Sequence, residues 1–171
     1  MSSQRILLVG GFGLFLLSAV YGLLYDGFVA AEQQQSLLYN LDMALNMAAK
    51  GDLNMASAFA GQFGAESASR DIQARIPLHL ALAGAMTIAP LWISPKLDIS
   101  ERLKRIMALF IVFGGAVLAA GDFLQVFGQR RLGYYLVLAG YSWLTLGLAG
   151  YFLGAALFVW LQEDGRRPKR G

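Results

Sequence analysis

The sequence predicts an all-α fold: a bundle of four transmembrane helices with a helical extracytoplasmic loop between the first two. Three observations carry this. The chain is 57% apolar and only 15% charged, with a mean hydropathy of +0.52, whereas a soluble domain carries about 25% charged residues. Four apolar stretches approach or exceed the roughly 20 residues that a helix needs to cross a bilayer. In the last two of these stretches, glycines recur every seven residues. The whole chain, 1–171, reads as a single integral membrane domain.

The first span, 6–25, carries no charge. A signal peptide is the alternative, with "VAA" at 29–31 as its cleavage site, but the apolar core is too long for a signal sequence and the expectation is an uncleaved anchor. The loop 26–75 holds six acids and three bases and predicts two amphipathic helices. In the first, Leu38, Leu41, Leu45 and Ala48 share a face. Gly51 breaks it, Asp52 caps the second, and Met55, Phe59 and Phe63 form the stripe of a helix ending near Gly61 or Gly64. Both helices are expected on the outer membrane surface or packed over the bundle, with a partner-docking surface or a lid as the functional alternative.

The second span, 76–93, contains Pro77, His79 and Pro90, and the third, 106–127, contains Asp122 and Gln125. The fourth, 134–161, has 28 residues, about 42 Å of helix, so it should tilt or protrude. Orientation follows from the basic residues. With both termini cytoplasmic, nine of the 14 lysines and arginines lie inside, among them Arg5, Lys96, Arg102, Lys104, Arg105 and the tail "GRRPKRG". Tyr21, Tyr25, Phe127, Tyr134 and Tyr135 then mark the outer interface, and Trp92 and Trp160 the inner one. In a bacterium this is the cytoplasmic membrane. The net charge of +3 and pI near 9.3 are read as topology signals, so no nucleic-acid partner is expected.

Gly114, Gly121 and Gly128 form one stripe with a period of seven residues, and Gly133, Gly140, Gly147 and Gly154 form another. Gly150 and Gly154 add a GxxxG pair. Lipid gives helices no hydrophobic reason to associate, so small residues act by letting backbones approach. Spans three and four, joined by "GQRRLG", are predicted to pair as a close antiparallel hairpin.

Chemistry in such a chain is sought among polar groups inside the spans, which are costly there. His79 is the only histidine, and the chain has no cysteine, which removes disulfides, thiolate metal sites and cysteine nucleophiles. His79, Asp122, Gln125 and Tyr141 all fall in the outer half, with Ser142, Thr145, Tyr21, Tyr25 and Asp26 near them; the inner half offers mainly Thr87. Such a set is able to hold a quinone headgroup, with His79 or Tyr141 donating and Asp122 taking a proton. The more economical expectation is an interfacial network in which Asp122 pairs with Arg130, Arg131 or Arg75. No cofactor is required. Haem has only His79 as ligand, since Met86 is seven residues on along the same helix. No metal spacing is present for His79 with Asp122 and Asp26, and Met43, Met47 and Met55 are a weak Cu(I) set. No phosphate loop, nucleophile triad or paired-carboxylate motif is found, and Gly10, Gly11 and Gly13 lie in an apolar span with no strand before them.

At "PLHLALAG" the chain resembles small four-helix membrane proteins related to subunit I of haem-copper oxidases, in which a span opens with two histidines one residue apart. His79 matches the second and Pro77 stands at the place of the first. The resemblance implies a four-span plan and makes His79 a candidate ligand. The leading expectation is a non-catalytic accessory or assembly subunit that packs against other membrane subunits of a larger complex, a respiratory complex being one candidate. The alternatives are a quinone- or haem-binding redox protein and a small oligomeric transporter.

Overall fold

The computed structural model describes residues 2–97 and 99–166, with side chains described up to Trp160. The described chain is helical, with no strand among its residues. The helices are α1 (Ser3–Leu24), α2 (Ala30–Ala49), α3 (Leu53–Ile88), α4 (Glu101–Val126) and α5 (Arg130–Arg166). Four helical rods are long and apolar enough to cross a membrane: α1 with α2, α3 with its terminal turns, α4, and α5. Arg167, Lys169 and Arg170 of the basic tail lie outside the described residues.

The segment 26–75 is helical, and its two helices are continuous with the long apolar helices on either side. A five-residue π turn, Tyr25–Val29, joins α1 to α2 without a break; the wider turn adds a residue and rotates the helix beyond it. The bend comes at Lys50–Gly51–Asp52. Gly51 takes φ +80°, the left-handed conformation that costs glycine nothing, and Asp52 Oδ1 accepts from Met55 N–H at 3.1 Å to cap α3. From there α3 runs 36 residues, through Gly61 and Gly64, to Ile88. The two glycines do not end it, because a mid-helix glycine costs only about 1 kcal/mol and the packing against α2 supplies more than that. Pro77 is also accommodated: Gly22 leaves room opposite its ring, and Ser18 Oγ donates to the Pro77 carbonyl at 2.7 Å.

Inside the α2–α3 hairpin the facing residues are not the predicted leucines. Leu37 and Asn40 are buried, while Leu38, Leu41 and Leu45 point outward, Leu45 being 64% exposed. The seam is tied by polar side chains. Gln33 joins Tyr25 OH to Gln73, and Glu66 accepts from Ser36 Oγ at 3.0 Å and Asn40 Nδ2 at 3.1 Å. The predicted stripe was offset by one residue from the face that packs.

The α4–α5 pair is closest where the glycines interleave. A methyl group on Gly140 would sit 2.6 Å from Leu118 N and 2.8 Å from Gly114 O, and one on Gly121 would sit 2.7 Å from Gly133 O and Val137 N. Gly114, Gly133 and Gly147 face backbone in the same way. The stripe ends there. Gly150 meets the flexible Met107 side chain, Gly154 has only ordinary contacts with Leu97 and Ile99, and Gly128 turns the chain at φ +85°. α3 joins the core at Gly115, where an added methyl would lie 2.5 Å from Ala83 Cβ, and Gly84 packs on Gly11 of α1.

This contrast predicts opposite signs for one substitution. Gly140→Ala loses about 1–2 kcal/mol, because overpacking against rigid backbone outweighs the gain in helix propensity. Gly61→Ala, in an open helical position, gains about 0.5–1 kcal/mol. Unfolding of both variants in detergent measures this; equal effects contradict close backbone packing at Gly140.

Candidate functional site

Three helices bring one polar side chain each to the same place, near the hairpin end of the bundle. On α4, Gly115 and Asp122, seven residues apart, face α3, while Ile111 and Leu118 meet Gly147 and Gly140 of α5. On α3, His79 lies one turn before Ala83, which packs on Gly115. On α5, Tyr141 follows Gly140, whose lack of a side chain lets the backbone touch α4. The three side chains form a chain: Asp122 Oδ2 lies 2.5 Å from His79 Nδ1, and Tyr141 Oη lies 3.0 Å from His79 Nε2.

The chemistry of the groups sets the direction. Asp122 is 2% exposed, and a carboxylate there only accepts, so Nδ1 carries the hydrogen and donates to it. In neutral His79 the lone pair is then on Nε2, and the Tyr141 hydroxyl donates to it. The rings of His79 and Tyr141 stand edge to face, 5.8 Å apart.

Below this chain runs a groove of about 410 Å³ between α3 and α5. His79 and Tyr141 form its polar end. Leu82, Met86, Thr145, Leu148 and Phe152 carry it along both helices as an almost entirely apolar slot. Asp122 stands behind His79, out of the groove.

The structure sorts the sequence candidates. His79, Asp122 and Tyr141 are brought together. Gln125 is not: it packs beside Gly133 close to the α4–α5 turn, and among the described residues no hydrogen bond ties it to the three. The expected pairing of Asp122 with Arg75, Arg130 or Arg131 is replaced by the His79 pair, the only ion-pair partner Asp122 has among the described residues. The physical reason is position: Asp122 points at α3 beneath the bundle end, and the arginines are on its rim. Among the described residues, no three His, Asp or Glu side chains converge as a metal ion requires. A haem iron at His79 would have to displace Tyr141 from Nε2, and Met86 lines the same groove from the same helix, so it cannot serve as the opposite ligand.

A second polar cluster, at the end of the bundle where α1 and α4 begin, was not foreseen. Ser3 N–H donates to Glu101 Oε1 at 2.6 Å, and Tyr151 OH donates to the Lys104 carbonyl at 3.0 Å. Ser3 and Ser94 are each 1% exposed. One signal was available: Tyr151 follows Leu144 and Leu148 at helical spacing, on the buried face of α5. These bonds tie α1 to α4 and α4 to α5. Comparison with protein-family models, with curated proteins and with solved structures finds no match.

Proposed function

We propose that this chain is a four-span membrane protein that binds an amphipathic ligand of the quinone class, ring at His79 and Tyr141, tail in the α3–α5 groove. The observation that carries this reading is the Asp122–His79–Tyr141 chain at the end of an otherwise apolar slot. Ligand pockets have this composition: an apolar lining and a few convergent polar groups that fix orientation. A buried carboxylate behind a histidine is costly, and functional sites are where such groups are held. Leu82, Met86, Tyr141 and Phe152 of its lining are exposed, which leaves the groove accessible to a lipid-soluble molecule.

In this reading both termini are cytoplasmic, the α2–α3 hairpin projects outside, and the site belongs to the outer leaflet of a bacterial inner membrane. The distribution of basic residues supports that orientation. A second reading, an accessory or assembly subunit, is favoured by a separate observation: Leu38, Leu41 and Leu45 form an outward apolar stripe on the projecting hairpin, as a partner-binding surface does. The two readings are compatible in one protein.

Purified protein titrated calorimetrically with a short-chain benzoquinone tests the ligand reading. Binding is expected, and Ala149→Phe, which fills the groove while sparing the three polar residues, should weaken it about tenfold or more. Undiminished binding to that variant places the ligand elsewhere. Orientation is testable against a background free of native cysteine. A Lys50→Cys thiol should react with an impermeant maleimide in intact cells and a Lys96→Cys thiol should not; the reverse pattern inverts the topology.

A further inference from the structure

We infer that the polar end of the groove inverts its hydrogen-bond polarity when His79 gains one proton, so that a single site takes a hydroxyl-headed ligand in one state and a carbonyl-headed ligand in the other. This rests on the ligand reading above and specifies the headgroups the site takes. The geometry follows from the chain of three. Asp122 fixes the hydrogen on Nδ1, so the next proton is added at Nε2, the atom 3.0 Å from Tyr141 Oη.

With Nε2 bare, the Tyr141 hydroxyl spends its hydrogen on His79 and presents only lone pairs to the groove. The site then accepts, and it suits a hydroxyl such as that of a quinol. With Nε2 protonated, the imidazolium stays paired with the Asp122 carboxylate and Nε2–H donates to Tyr141 Oη. The tyrosine O–H is released, turns toward the groove and donates, which suits a carbonyl such as that of a quinone. No atom needs to move beyond the rotation of one hydroxyl hydrogen. Tyr141 is 46% exposed, so its hydroxyl is within reach of a molecule in the groove.

The other ionisable groups near His79 leave this assignment intact. Asp122 faces it from α4 and Tyr141 from α5. α1, packed on another face of α3, brings Tyr21, which stacks on Tyr25 and meets Phe123 edge to face. On α3 itself Arg75 lies one turn earlier and is exposed, as are Arg130 and Arg131 at the start of α5, and none of the three is ion-paired to the cluster among the described residues.

The experiment uses the full chain in detergent and two probes of equal chain length, 4-octylphenol and 4-octylacetophenone. Neither ionises between about pH 5.5 and about pH 8.5, so micelle partition cancels in the pH dependence of their affinity ratio. The phenol-to-ketone ratio should rise about tenfold from the low to the high end, the weight of one hydrogen bond gained and one lost. In Tyr141→Phe and in His79→Gln, each checked for native helicity, the ratio should be flat. If both probes bind the native protein with a pH-independent ratio, the inversion is wrong and the ligand reading stands. If neither binds at any pH, the ligand reading falls with it. A ratio that still swings in Tyr141→Phe removes the tyrosine from the relay.

Discussion

A carboxylate buried between helices is tolerable only with a partner that returns what water would have given it, and most of this fold can be read as the arrangement that supplies one to Asp122. Stripping an ion of solvent costs several kcal/mol even after relaxation, and Asp122 is 2% exposed. Its partner is the single imidazole of the chain, 2.5 Å away on another helix. Because the carboxylate takes the hydrogen of Nδ1, the opposite ring nitrogen is aimed at α5, and Tyr141 is there to meet it. One electrostatic requirement thereby sets the rotation of α3, α4 and α5 at this level.

Those rotations are held by packing rather than by further polar contacts. Gly121 and Gly133, and Gly114 and Gly140, bring the α4 and α5 backbones against each other, which turns the neighbouring Asp122 toward α3. Gly115 against Ala83 fixes the separation of α3 from α4, at about the distance at which a carboxylate and an imidazole touch directly. Towards the end where α1 and α4 begin, the Ser3–Glu101 and Tyr151–Lys104 bonds join α1 to α4 and α4 to α5. The groove is the space these constraints leave, where α3 and α5 approach α4 but do not close on each other.

How much of this was legible in the sequence follows the physics of each element. Four apolar segments announce themselves because composition over some 20 residues is a strong signal, and four helices long and apolar enough to cross a membrane are present. The glycine stripes pointed to the α4–α5 contact because a period of seven residues survives along a whole helix. Depth along each segment put His79, Asp122 and Tyr141 in one layer. It did not put them in contact, because depth says nothing about rotation, and Gln125 shares the layer while facing elsewhere. The hairpin was misread for a related reason. Its seam is built on Gln33, Asn40, Glu66 and Gln73, and a hydrophobic stripe is blind to a polar seam. Gly61 or Gly64 read as a stop and residue 25 as the end of the first span, yet a π turn and tolerated mid-helix glycines keep both helices running. Ser3, Glu101 and Tyr151 were missed because they meet across long sequence separations with no spacing motif to mark them.

The central claim is that Asp122 fixes the tautomer of His79 and so directs Nε2 to Tyr141 and the groove. One imidazole in the whole chain makes this directly observable by ¹⁵N NMR of histidine-labelled protein. In the neutral form the account predicts a protonated Nδ1 and a bare Nε2, and a loss of that preference in Asp122→Ala, where nothing remains to hold the hydrogen on Nδ1. A native spectrum dominated by protonated Nε2, or identical tautomer populations in the two proteins, would contradict it.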